Sequence, residues 1–508
     1  MPTLARSLLL TTLVFAGCKK ETAAAQAPKA AEPKLVTLTF LVTGAENGYL
    51  LPTAGEPGSP AKGGAANMLG RWVANEGHCA GALKDDGAAA CENGSTIALS
   101  TGDNANGQAI SSYFKGESTA EVMKHMGYAA SALGNRELDW SREQFSKNAK
   151  SGGFPYLAAN LAAANDEGKA LGLRPYRVLK RQGVTVGVIG LSSHKATVTP
   201  MPGRMAGIEL KKGAQALAET LPAVRAEGAQ VIAIVSDGCL EELAPLFEGH
   251  PDWQVAFVAG RKCEQTFPEA VGDTRMVYPG RHFNEYVTAR VTLDVSKPVG
   301  AQLSKVETKT IEVLNDGTSA PDAKASELID GYKTKLEAAL GDTIGFTKTG
   351  FEQESAQMSA WLTTSLKEQF KTDVALLNRK GVRQALPAGP IKKATIYDLI
   401  PFENQVVIVK LTGDQLLAAI GNVQARFSGV KPKGESFIDA KGAAIDPKKT
   451  YTLATIDYLY LGGDGFIFHL ADAAHTMTNT SWQSALIEWT TSQKSDEKSP
   501  LETRIKVK

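Results

Sequence analysis

Cysteine is scarce in this chain, with five residues in 508. That is too few for a disulfide scaffold, and their spacing does not suit a zinc finger. A charge excess of either sign is also lacking. Lysine plus arginine number 55 against 54 aspartates plus glutamates, a formal net charge of +1. There is thus no global electrostatic case for a nucleic-acid partner. Past the N-terminus, no apolar run approaches the ~20 residues of a transmembrane helix. Histidine is sparse as well, with seven residues. What is present is ordinary. Hydrophobic residues make up 43% and charged residues 21%, which excludes a disordered, collagen-like or multi-spanning membrane chain. At 508 residues the chain is about three times the roughly 150-residue prior for one domain.

The first residues carry one positive charge, Arg6, and then an apolar run over 8–17. The run is too short to span a bilayer and reads as a signal-peptide core. It ends in Phe15-Ala16-Gly17-Cys18, which resembles a bacterial lipobox. The resemblance implies a signal peptide over 1–18, acylation of Cys18, and a lipoprotein facing the periplasm or cell surface. Residues 19–34 are mostly Ala, Pro, Lys and Glu without apolar periodicity, and read as a tether off the membrane. Export implies an oxidising compartment. With Cys18 lipidated, Cys79, Cys91, Cys239 and Cys263 remain. They allow three pairings, of which the local one, Cys79–Cys91 with Cys239–Cys263, is favoured.

Short apolar runs at 35–43, 95–101, 128–133, 184–191, 231–236 and 255–259 read as buried strands. Helices are expected over 111–126 and 212–227. Several strands end in Gly with Asp or Asn, as in Thr101-Gly102-Asp103 and Leu133-Gly134-Asn135. Polar residues at the carboxyl ends of strands are where α/β sheets build sites. A turn-rich stretch over 314–321 precedes an amphipathic segment over 323–340, read as an inter-domain helix. A second α/β segment runs from about 343, with a helix at 354–370 and strands at 374–377 and 405–411.

The C-terminal segment carries Asn378-Arg379-Lys380-Gly381-Val382-Arg383, then Pro401-Phe402-Glu403-Asn404, Leu411-Thr412-Gly413, and Asp457-Tyr458 leading to Gly462-Gly463-Asp464-Gly465-Phe466. In order and spacing these resemble the substrate domain of the 5′-nucleotidase family. Leu99-Ser100-Thr101-Gly102-Asp103, Leu133-Gly134-Asn135-Arg136-Glu137 and Phe154-Pro155-Tyr156 resemble that family's metallophosphoesterase domain. The resemblance implies a four-layer α/β/β/α sandwich over 35–312, a linker and helix over 313–342, and a C-terminal α/β domain over 343–508.

The family's catalytic domain holds two metal ions, which clamp a phosphoryl group and activate water. Zinc or manganese suits such ligands. Here Asp103 matches the bridging Asp and Asn135 the Asn ligand. Ala45 and Asn47 stand where an Asp and a His belong, Asp237 where a His belongs, and Arg261 and Cys263 at the two final His ligands. Arg136 occupies the place of the catalytic His. Two matching ligands do not repay dehydration of a divalent ion, so no cofactor is expected unless the protein is active. A different site built from Asp237, Glu46 and Cys263 is the alternative. With metals gone, Asp103, Glu137 and Asp139 would lie close together, and Arg136, Arg261 and Lys262 are expected to restore positive charge. The resemblance brings the loops of Cys239 and Cys263 together, so their disulfide would staple loops that metals otherwise hold. Two free buried thiols are the alternative.

In the C-terminal domain, Phe402 and Tyr458 match the two rings that stack a nucleoside base. Asp464 matches the ribose-binding carboxylate, Asn378 the base contact and Arg383 a phosphate contact. A further substrate Arg is missing, since Phe351-Glu352-Gln353 stands there. Arg379 and Lys380 replace glycines and would fill space or add anion contacts. The favoured reading is a lipid-anchored protein of 5′-nucleotidase fold, catalytically impaired or inactive, binding a nucleotide-like ligand. The alternatives are an active metal-dependent phosphohydrolase with an atypical site, and a purely structural interaction protein.

Overall fold

The strand Leu35–Thr43 shows how the first domain is layered. Leu38, Phe40 and Val42 face one core cluster, and Leu41 faces another. Successive strand residues point to opposite faces of a sheet, so this alternation puts buried layers on both sides. The computed structural model describes residues 32–505, except 56, 85–86, 92–93, 199–200, 202, 265 and 435. Cys18, the signal segment and most of the tether lie outside the described residues. No helix among the described residues is long and apolar enough to cross a membrane.

Two six-stranded sheets form the centre of the first domain. Leu35–Thr43 sits third in the first sheet, between Glu285–Asp294 and Thr96–Ser100. The second sheet is built around Val184–Leu191, Val231–Cys239 and Phe257–Arg261. The sheets pack face to face through Phe40, Val42, Val188, Val235 and Phe257. The rings of Phe40 and Phe257 meet edge to face at 5.0 Å. Helices cover both outer faces, with Trp72, Met123 and Phe145 against one sheet and Leu217, Leu221 and Trp253 against the other. The result is the expected α/β/β/α sandwich.

Two local expectations change. The helix expected over 111–126 is broken into Ala109–Ser112 and Glu117–His125. Lys115 and Gly116 adopt φ of 52° and 84° between them, a region that terminates right-handed helix and favours glycine. A Cβ on Gly116 would also come within 2.7 Å of Asn148. The strands expected at 231–236 and 255–259 run on to Cys239 and Arg261, where Arg261 pairs with Cys239 across a bulge. Those extra residues carry the site.

Ala323–Leu340 forms the expected helix, N-capped by Asp322, which accepts from Ala325 N at 2.8 Å. Its Ala325, Ile329 and Tyr332 pack into the first domain's core. The second domain is a five-stranded sheet backed by Ala356–Gln369 and Trp482–Ser492, with Trp361, Leu377, Val409 and Trp482 in its core. The domains meet where Asp398 Oδ1 accepts from Ala109 N at 2.5 Å and Lys115 pairs with Glu403 at 2.9 Å. Tyr113 packs edge-on against Tyr397 there.

Candidate functional site in the inter-domain cleft

The floor of the cleft is formed where strands of the first domain end. After Leu35–Thr43 the chain turns through Ala45 and Asn47, both with positive φ. Ala45 N donates to Gly102 O and Asn47 N to Asp103 O, each at 2.9 Å. Ala45 offers no ligand atom, and Asn47 Nδ2 donates back to Ala45 O at 2.9 Å.

Asp103 follows Thr96–Ser100 and is 3% exposed. Its Oδ2 accepts from Arg261 Nη1 at 2.8 Å, and its Oδ1 accepts from Arg136 N at 3.1 Å. Asp237 is engaged likewise, accepting from Ser193 N at 2.5 Å and Ser193 Oγ at 2.7 Å. Burial first, and then Asp103, pushes its pKa up to about 7. Asn135 is buried beside them, and its Nδ2 has no hydrogen-bond partner. Glu137 turns inward to Asn104 N at 2.7 Å and Gly134 N at 2.9 Å. Its pKa rises to about 8 through burial and the charge of Asp103. Glu46 is fully buried, bonded by the hydroxyls of Thr43 and Ser100, and burial raises it to about 7.

The disulfide Cys239–Cys263 is formed, with Cα atoms 5.6 Å apart. It joins the ends of the strands that carry Asp237 and Arg261. Cys79–Cys91 is formed as well.

The donor set does not fit a two-metal centre. Both oxygens of Asp103 and of Asp237 already accept protein hydrogen bonds, and a guanidinium stands against Asp103. The alternative site from Asp237, Glu46 and Cys263 is not assembled either. Cys263 is spent in the disulfide, and Glu46 points into hydroxyls. The expected charge exchange is corrected in detail. Arg136 Nη1 pairs with Asp139 at 3.1 Å and Arg261 pairs with Asp103. Lys262 joins no salt bridge among the described residues. Glu137 is satisfied by backbone amides, which its sequence neighbours do not reveal.

The sequence-assigned residues of the second domain do converge. Asn378, Arg383, Phe402, Tyr458 and Asp464 line one cavity of about 150 Å³, which Arg136 and Arg204 of the first domain close. Asn378 Nδ2 donates to Asp464 Oδ2 at 2.6 Å, while Asn378 Oδ1 is buried without a partner. Asp464 holds φ of 50°. The adjoining Gly463 is required, since a Cβ there would lie 2.4 Å from the Tyr458 ring. The guanidinium carbons of Arg136 and Arg383 lie 5.1 and 5.8 Å from the Phe402 ring centre, within cation–π range. Arg383 is accessible at its surface but wedged between the domains. Desolvation and the like charge of Arg136 push its pKa down to about 10. Of the two cations replacing glycines, Lys380 lines the cavity and Arg379 pairs outward with Glu354 at 3.0 Å.

A second cavity, about 400 Å³, lies over the floor and shares Arg136, Arg383 and Phe402 with the first. Gln353, at the missing substrate arginine, lines it and donates to Val382 O at 2.7 Å. Tyr49, Tyr278, Arg281 and His282 also line it. Sequence reasoning missed these four and Arg204. They lie on irregular connections without motif, and only tertiary packing brings them together.

The fold and cleft define a class: an α/β/β/α sandwich joined to a second α/β domain, with aromatic rings and cations between them. Residues 339–471 match the family described as 5′-nucleotidase, C-terminal domain. Protein UshA of Yersinia enterocolitica is 25% identical over 448 residues, covering 74% of this chain and 79% of the relative. The 5′-nucleotidase of Vibrio vulnificus is 24% identical over 437 residues, covering 74% and 78%. The solved 5′-nucleotidase precursor of Thermus thermophilus superposes with a TM-score of 0.71 at 21% identity, over 93% of this chain and 99% of that one. The chain is thus similar to 5′-nucleotidases, shares the two-domain fold of the solved one, and matches their C-terminal domain over 339–471.

Proposed function

We propose that this chain is an exported, lipid-anchored relative of the 5′-nucleotidases that binds a nucleotide-type ligand in its cleft and hydrolyses phosphate esters poorly or not at all. The observation that carries this is the Arg261–Asp103 pair at 2.8 Å. It puts a fixed cation where a metal-bridging carboxylate would need a free one. Arg136 supports the reading from the position of the catalytic His. A guanidinium can stabilise charge but cannot readily hand a proton to a leaving group. Ligand retention is supported by the convergence of Phe402, Tyr458, Asn378 and Asp464 on one cavity. The anchor is supported by the lipobox-like motif ending at Cys18.

The competing reading, an active phosphohydrolase with an atypical site, is favoured by the similarity to UshA and 5′-nucleotidases. Metal content and AMP hydrolysis separate the two. Protein purified without chelators is expected to hold substoichiometric zinc and manganese and to leave AMP intact when either is added. Two metals per chain together with AMP turnover would overturn the proposal. The purely structural reading fails if a nucleotide raises the melting temperature of the wild type but not of Phe402→Ala.

A further inference from the structure

We infer that the cavity over the floor is a metal-independent receptor for a polyphosphate group, either free or as the phosphate chain of a nucleotide. The inference rests on the ligand-binding reading above and names the chemistry of the ligand's charged end. Five cationic side chains line this cavity: Arg136, Arg261, Lys262, Arg281 and Arg383. No carboxylate lines it. Two of the cations are already neutralised, Arg136 by Asp139 and Arg261 by Asp103. Lys262, Arg281 and Arg383 join no salt bridge among the described residues. Glu241, Glu285 and Asp139 act on these three cations from outside the cavity, without a salt bridge, and cations facing one concave space that no carboxylate lines form an electrostatic trap for an anion. A single phosphate monoester, at about −1.5 to −2, falls short of them. A pyrophosphate-type group carries more charge and more acceptor oxygens.

The remaining wall suits the same chemistry. The hydroxyls of Tyr49 and Tyr278 can donate to phosphate oxygens. Tyr49 stacks on His282 with ring centres 3.8 Å apart. His282 is held neutral, its pKa pushed down to about 4 by burial and by Arg281 and Arg383. Arg136, Arg383 and Phe402 line both cavities, so the two lie side by side. A ligand with its aromatic end against Phe402 and Tyr458 therefore directs its next groups past Arg383 toward Arg281 and Lys262. In this arrangement arginine and lysine supply the positive charge that bound metals supply in a metallophosphoesterase.

The test is calorimetry in EDTA with three probes: inorganic pyrophosphate, adenosine and ADP. Pyrophosphate is expected to bind without metal, and Arg281→Ala and Lys262→Ala each to weaken it at least tenfold. Both side chains are exposed, so folding is not at stake. ADP is expected to bind more tightly than either fragment, and adenosine to be insensitive to the two substitutions. Pyrophosphate that fails to bind, binds only with added zinc, or binds both variants like the wild type overturns the inference while leaving adenosine binding intact. ADP no tighter than pyrophosphate, with adenosine unbound, assigns the site to free polyphosphate. That outcome removes the nucleotide reading and keeps the polyanion site.

Discussion

Arg261, at the end of a strand in the second sheet, donates across the sandwich to Asp103 at the end of a strand in the first. The pair is a cross-sheet bond as well as a charge exchange. Replacing Arg261 with Ala strands a buried carboxylate. The expected loss is about 1–3 kcal/mol, read as a lower melting temperature. Asp103→Asn on the Arg261→Ala background should restore part of it. A double variant as destabilised as the sum of the singles would show that the two residues do not interact.

The disulfide Cys239–Cys263 closes a segment with a sequence separation of 24. Loop-closure entropy assigns it about 3 kcal/mol. Cys239→Ser with Cys263→Ser should melt earlier than the wild type. Added reductant should move the wild-type curve toward the variant. If the two curves coincide without reductant, the bond contributes nothing to stability.

Glu46 is expected to make stability fall as pH rises. Its folded pKa is raised from 4.5 to about 7 by burial. The folded state thus keeps a proton that the unfolded chain has already lost. Glu46's stabilising contribution is complete below about pH 4.5 and is lost as pH climbs through about 7, on the order of 3 kcal/mol. Asp237 and Glu137, both raised, act in the same sense. Glu46→Gln should flatten the slope of melting temperature between pH 5 and 8. An unchanged slope would exclude Glu46 as a contributor.

Cys18→Ala is expected to move the protein from the membrane fraction to the soluble exported fraction, and to remove the acyl mass from its N-terminal peptide. A single acyl chain binds membranes only marginally, so a fully modified Cys18 should show more than one. Membrane association that persists in Cys18→Ala would sink the anchor.

Much of the architecture was legible because it depends on local periodicity. Leu35–Thr43 and Val184–Leu191 begin and end where their apolar runs do, and so does the helix Ala323–Leu340. The convergence of Phe402, Tyr458 and Asp464 was legible through motif order alone. The choice of ion-pair partners was not. Arg136, Arg261 and Lys262 look equivalent as a cluster of cations, yet among the described residues only the first two form salt bridges. Which carboxylate lies within reach is decided by where strand ends land across the sandwich. Arg281, His282 and Tyr49 were illegible for a related reason. They stand on turns whose direction depends on positive-φ residues and on the packing of the second domain. The break at Lys115 and Gly116 was missed because the apolar spacing continues through it.

Phe402 belongs to the second domain, and the guanidinium resting against it at 5.1 Å belongs to Arg136 of the first. Parting the domains would dismantle the wall that the two cavities share. Ligand capture and domain docking are therefore thermodynamically linked. Whatever fills the cleft favours the docked pair, and whatever pries the domains apart expels the guest with equal force.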